Sequence, residues 1–217
     1  MERDQSAQLA ALLPGYSAIF RPAIETVDRD GNLHHFGNMT LSRLPVLQIA
    51  NHLLPWPGVG TVRSMRRHTL EVTVRASFGA IHVVNTHLEF LSAVQREAKI
   101  ARLLDLQEDA SMSPKQAGSR HHEPYGSQTV AASSLLCGDF NFDVADPQHP
   151  IRPAWSGISG CMDRNRPGRA RSPTCGIYDR AQWADGPDCR DFIFVTEDLT
   201  GYVRSIEVNE ATVTSPL

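Results

Sequence analysis

The four cysteines, Cys137, Cys161, Cys175 and Cys189, include no Cys-x-x-Cys pair. That spacing argues against a zinc site. Cys137 sits inside an apolar run and reads as a packed thiol. A reducing, cytoplasmic compartment is the expectation. No apolar run reaches the roughly 18 residues that suggest a membrane-crossing helix, so no stable membrane insertion is expected. The opening Met1-Glu2-Arg3-Asp4-Gln5 is too polar for a signal peptide. A basic excess is missing too: 21 Lys and Arg against 24 Asp and Glu leave a net charge of −3. Bulk nucleic-acid binders usually show a basic domain, although a local basic cleft needs no such excess. There is no nucleophile elbow, no phosphate-binding P-loop and no complete dinucleotide fingerprint. No internal repeats occur.

What is present has the composition of a folded domain. Hydrophobic residues make up 41% and charged residues 21% of 217. That suffices for a single domain over 1–217. Three apolar runs each carry a polar, chemistry-bearing residue at one end. Residues 135–143 read Leu-Leu-Cys-Gly-Asp-Phe-Asn-Phe-Asp, with Asp139 and Asn141 one residue apart. In a continuing strand both project to the same side. Residues 81–88, Ile-His-Val-Val-Asn-Thr-His-Leu, end in His87. Residues 190–195, Arg-Asp-Phe-Ile-Phe-Val, open with Asp191. Strands are expected over 80–86, 134–139 and 191–195, ending on one side of the fold. His87, Asp139, Asn141 and Asp191 should then share one cleft.

Thr86-His87-Leu88, Gly138-Asp139-Phe140-Asn141 and Arg190-Asp191-Phe192-Ile193-Phe194 resemble three ordered motifs of the endonuclease/exonuclease/phosphatase superfamily. Gly37–Val46, with its Ser42-Arg43-Leu44-Pro45, resembles a fourth. The resemblance runs from about Pro14 to the C-terminus. It implies an α+β fold, the deoxyribonuclease I-like four-layer α/β/β/α sandwich of two mainly antiparallel sheets. It implies a divalent-metal-dependent phosphoester hydrolase, a phosphodiesterase, nuclease or phosphatase, using Mg2+ or Mn2+. The substrate would be a nucleic acid, a phosphoinositide or a phospholipid headgroup. By resemblance Asp139 activates or orients the attacking water, and Asn141 positions water and phosphate. His87 donates to the scissile phosphate, and Asp191 orients a catalytic His. Asp139 and Asn141 are the metal-site expectations, and Asn85 and Arg43 the substrate-binding ones. Arg63 and Glu89 are weaker candidates.

Family members also carry an Asn strand and a metal-binding Glu strand at their start, and a Ser-Asp-His motif at their end. This sequence shows neither. It therefore reads as truncated at both ends of the active site, and as inactive or nearly so in this form. The alternative is an inactive member or fragment that keeps the fold as a binding module.

Several expectations concern the rest of the chain. Residues 4–13 should be helical, stopped by Pro14-Gly15. Tyr16–Phe20 reads as a short strand, and Asp30-Gly31-Asn32 as a hairpin-type turn. Leu70–Val74 alternates and should pair antiparallel with the strand after Ser77-Phe78-Gly79. Ser92 and Gln95 have capping-box spacing before a helix over 92–109, with Val94, Ala98, Ala101 and Leu104 on one face. Residues 111–133 read as a mobile surface loop, 145–190 as loops over the cleft, and 202–208 as a strand. His82 reads as structural. His34-His35 and His121-His122 read as solvated loop histidines.

Overall fold

A computed structural model describes residues 4–60, 62–112, 131, 133–142, 158–160, 172–179 and 181–208. Helix α1 (Gln5–Leu12) starts at Asp4, whose carboxylate accepts the Ala7 N–H at 3.0 Å. Strands β1 (Ser17–Val27) and β2 (Leu33–Ser42) form an antiparallel pair. Their turn is organised by Asp28, whose carboxylate accepts the N–H groups of Asp30 and Asn32, both at 2.9 Å. Gly31 supplies the left-handed residue there, with φ 84°. His34 and His35 lie in β2 rather than in a loop, facing Asp28 at 3.0 Å and Glu25 at 3.1 Å.

The larger sheet holds β3 (Val46–Leu53), β4 (His68–Ala76), β5 (Gly79–His87), β6 (Ser133–Asp139), β8 (Asp191–Thr196) and β7 (Ile158–Gly160), in that spatial order. Its β5–β6 pair is parallel and the other pairs are antiparallel. Strand side chains alternate faces, so β4 buries Leu70, Val72 and Val74 on the side where Ile19 of β1 packs. Its other face looks toward helix α2 (Ala93–Met112), which contributes Ile100 and Leu103 to a core with Leu88, Leu136, Phe140, Phe142, Phe192 and Phe194. The small sheet therefore packs on one face of the large sheet and helix α2 on the other, the order of the inner layers that the resemblance implies. Among the described residues no helix is long and apolar enough to cross a membrane.

Helix α2 corrects one expectation. Val94 is exposed, and Ala101 faces solvent. The buried stripe is Gln95, Arg96, Lys99, Ile100 and Leu103. Apolar spacing misplaced the face because its N-terminal half buries polar groups. Ser92 Oγ caps the Gln95 N–H at 3.3 Å, but the Gln95 amide donates to Pro57 O at 2.7 Å. Residues 197–202 form a 3-10 helix and 203–208 are irregular, so the strand expected over 202–208 is absent. Val203 and Ile206 instead pack against Val195 and Leu199. Most of the expected 111–133 loop, and much of 145–190, lies outside the described residues.

Candidate active site

Strand register builds the site. In the parallel β5–β6 ladder His87 pairs with Asp139, and in the antiparallel β6–β8 ladder Asp139 pairs with Asp191. Two strands running in the same direction bring their C-terminal residues side by side. The third, running oppositely, brings its first residue. The three side chains share the face on which the small sheet packs, and Phe36 of β2 lies 6.2 Å from the His87 ring.

Close strand approach requires Gly138. Its φ is 142°, and a Cβ there would stand 1.8 Å from Thr86 O. Beyond Asp139 the chain turns sharply. Asn141 takes φ 53°, its N–H donates to Asp139 Oδ1 at 2.9 Å, and its Nδ2 donates to Leu88 O at 3.0 Å. Asn141 is 5% exposed, so its amide is fixed rather than free. Phe140 and Phe142 flank it and pack edge-to-face at 5.8 Å, with Phe192 and Phe194 behind. Such aromatic pairs add about 0.5–1.5 kcal/mol each beyond area burial, which anchors the turn.

Burial sets the electrostatics of the row. Burial raises the proton affinity of Asp139, against the pull of its Asn141 hydrogen bond and of Arg67 and Arg190. Burial likewise raises Asp191, opposed by a hydrogen bond from Thr174 and reinforced by the charge of Asp139. His87 is pushed down to about 4, first by burial and then by Arg67. It is therefore neutral at pH 7. Its Nε2 stands 3.5 Å from Asp139 Oδ2, a contact of a neutral ring with a carboxylate. Arg190 donates from Nε to Asp188 Oδ2 at 2.7 Å and from Nη1 to Asn141 O at 3.4 Å. Its guanidinium also stacks on Trp183 at 4.7 Å and Phe90 at 5.3 Å.

The structure thus brings together His87, Asp139, Asn141 and Asp191. Asn85 is engaged between the sheets: its Nδ2 donates to Met39 O at 2.9 Å, and its carbonyl accepts from Asn38 Nδ2 at 3.2 Å. Arg43 is not brought to the row. It lies seven positions beyond Phe36, about 20 Å along an extended chain, with its guanidinium over Tyr16 at 5.4 Å. Arg63 is exposed. His82 is structural as expected, bonded to Thr73 and Glu71 and accepting the Ala131 N–H at 3.0 Å. The pattern of strand ends did not mark Arg67, Lys99 or Thr174. The one sequence signal for Arg67 is its place just before an alternating strand.

Magnesium takes oxygen donors and keeps several waters, so one or two carboxylates suffice. Asp139 fits that chemistry, and the Asn141 amide, held through Nδ2, has its oxygen left as the acceptor end. Asp191 offers a second carboxylate on the adjacent strand. Among the described residues no group of three or more His, Cys, Asp or Glu side chains is placed to hold a metal ion.

No family model matches the sequence, and no curated protein matches it. Solved structures do. A mannosyl-6-phosphatase of Bacteroides thetaiotaomicron superposes with TM-score 0.62 at 15% identity, over 89% of this chain and 67% of that one. The human Nocturnin catalytic domain, with a bound sulfate, gives 0.55 at 17% identity over 89% and 65%. ANGEL2, a 2',3'-cyclic phosphatase, gives 0.51 at 14% identity over 90% and 65%. The chain spans about two thirds of the length of these structures. The chain has the deoxyribonuclease I-like fold of the endonuclease/exonuclease/phosphatase proteins.

Proposed function

We propose that this protein is a divalent-metal-dependent phosphoester hydrolase whose centre is Asp139. The observation that carries the reading is the register that sets His87, Asp139 and Asp191 side by side on three strands, with Asn141 closing the turn. The reaction is in-line attack of water on phosphorus: the new P–O bond forms as the ester P–O bond opposite it breaks, and the alcohol leaves with a proton taken from solvent. Asp139, with its proton affinity raised by burial, accepts a proton from the attacking water. Asn141 holds Asp139 Oδ1 through its backbone N–H and so fixes the carboxylate's direction. His87, neutral at pH 7, donates an N–H toward a phosphoryl oxygen as negative charge grows there. Asp139 and Asn141 would hold magnesium or manganese, which would supply charge stabilisation at the phosphoryl oxygens.

The near-neutral net charge of −3 supports a compact phosphoester more than a long nucleic acid. The neighbours named as a mannosyl-6-phosphatase and a 2',3'-cyclic phosphatase support the phosphoester class. The test is turnover of simple phosphomonoesters and phosphodiesters by the natural gene product, with magnesium, with manganese and with a chelator. Chelator-sensitive hydrolysis is the expected result. Binding of phosphate with no turnover under any of these conditions would replace the enzyme by a binding module.

A further inference from the structure

Two neighbouring segments leave the large sheet at the end where the row lies. One is 54–67, which joins β3 to β4 and closes where the Leu54 N–H donates to Arg67 O at 2.9 Å. The other follows His87 and runs through Phe90 and Leu91 into the first turn of α2. The two are tied together, because Gln95 Nε2 of that turn donates to Pro57 O at 2.7 Å. Ladder register puts them beside the row: Leu53 pairs with His68, and Thr69 pairs with Thr86, the residue before His87.

Both segments present apolar side chains to water. Leu53 is 57% exposed, Trp56 42%, Leu91 54% and Val94 58%, and Met65 and Phe90 are exposed with them. Single exposed hydrophobic residues need no explanation, but six on two tethered segments do. Trp56 is held in place. Its Nε1 donates to Ser64 Oγ at 2.9 Å, and the Arg66 guanidinium lies 4.9 Å over its ring. The charge beside these side chains has one sign. Residues 31–70 contain no Asp or Glu, but they contain Arg43, Arg63, Arg66 and Arg67. Arg63 and Arg66 are exposed on the loop. On the second segment Glu89 is buried, and the first exposed acid is Glu97, one turn along α2.

Aliphatic side chains, an indole and guanidinium groups on one surface match the border between lipid and water. There an indole sits at headgroup level, apolar side chains enter the acyl boundary, and cations meet acidic headgroups. Nucleic acid fits less well. Bases stack on ring faces, yet Arg66 already covers a face of Trp56, and Leu53, Met65, Leu91 and Val94 offer no ring.

We propose that this edge is a docking surface for an anionic lipid membrane, with Trp56, Leu91 and Val94 entering the headgroup layer and Arg63 and Arg66 holding its acidic lipids. Docking there brings the row of strand ends to the membrane surface. The inference does not rest on the phosphoester reading, since lipid binding needs no turnover.

The test is co-sedimentation of the natural gene product with vesicles of phosphatidylcholine alone and of phosphatidylcholine mixed with phosphatidylserine, at low and at physiological ionic strength. The mixed vesicles should bind at least about tenfold more tightly, and added salt should weaken that binding. L91S/V94S and R63Q/R66Q, with folds checked by circular dichroism, should each lose at least about tenfold in affinity for the mixed vesicles. Tryptophan emission should shift to the blue on those vesicles, and W56F should lack the shift. If either double variant fails to fold, the lipid and salt dependence of the wild type and the conservative W56F carry the test. Equal binding to both kinds of vesicle, no binding by wild type, folded variants that bind like wild type, or a blue shift kept in W56F overturns the inference. Binding of a single-stranded oligonucleotide without vesicle binding would assign the surface to nucleic acid instead. A dimer lost in L91S/V94S, again without vesicle binding, would assign it to a second copy of the chain. Vesicle binding without ester turnover refutes the phosphoester reading and leaves the docking surface standing, and turnover without vesicle binding does the reverse.

Discussion

Asp139→Asn is expected to lower kcat at least about a hundredfold while leaving the fold intact. The substitution is nearly isosteric. Its carbonyl oxygen can still accept the Asn141 N–H that Asp139 Oδ1 now accepts at 2.9 Å. The strand registers of β6 with β5 and β8 depend on backbone bonds that the side chain does not touch. What disappears is the proton acceptor and the negative charge between His87 and Asp191. Turnover with magnesium, beside circular dichroism, checks the result. Wild-type turnover in a folded variant would remove Asp139 from the chemistry.

The second large effect is on stability. His68 is 1% exposed and joins the two sheets. Its Nε2 accepts the Asn38 N–H at 2.9 Å, and its Nδ1 bonds to Asn51 Oδ1. That network fixes a neutral ring with the proton on Nδ1. Burial holds its pKa down to about 4, against 6.5 for an ordinary histidine. In the unfolded chain the ring takes a proton near 6.5, and in the folded protein only near 4. Stability from this residue is therefore complete above about pH 6.5 and lost as pH falls toward about 4, in total about 3 kcal/mol. His87 is depressed to about 4 as well and acts in the same window, less strongly because its side chain is 34% exposed. Asp139 and Asp191, whose proton affinities are raised, act in the opposite sense.

His68→Ala should cost about 2–4 kcal/mol at pH 7, because it strands the Asn38 N–H and the Asn51 amide. It should also flatten the loss of stability between about pH 6.5 and 4. Urea denaturation across that range measures both. A variant with wild-type stability at pH 7 and an unchanged pH slope would show that His68 is not the pin between the sheets. Asn38 belongs to the same junction: its Nδ2 donates to His68 O at 3.4 Å and to Asn85 O at 3.2 Å. Asn38-Met39-Thr40 has the glycosylation spacing, yet this amide is only 9% exposed and is committed to those carbonyls.

The row of polar residues was readable from the sequence because each stands at one end of an apolar run. Runs of that kind form buried strands, and their ends are where side chains leave the core. Expected strands at 80–86, 134–139 and 191–195 match Gly79–His87, Ser133–Asp139 and Asp191–Thr196 to within a residue. Alternation over Leu70–Val74 likewise located β4, which runs from His68 to Ala76. The small sheet was harder. Strand β1 extends to Val27, well past Phe20, because β2 pairs along all of it, and exposed side chains on such a pair leave little alternation to read. The burial of Arg67, Glu89 and Lys99 was illegible for a different reason. They come from three separate segments, and only the packing of α2 against the sheet turns ordinary charged residues into sealed ones. Helical spacing could not place Gln95, Arg96 and Lys99 inward, since periodicity reads apolar residues and these are polar.

The measurement that tests the central claim most directly is magnesium-supported phosphodiester turnover by His87→Ala, Asp139→Asn and the double variant, in one buffer. His87→Ala should cost about 10²–10³ in rate, the usual loss for one donor to a developing oxyanion. Groups that serve one transition state lose their separate worth once either is gone. The double variant should then fall within about tenfold of the slower single variant. Losses that multiply in the double variant, or single variants that turn over like wild type with folds intact, would show that the row of strand ends is not one active site.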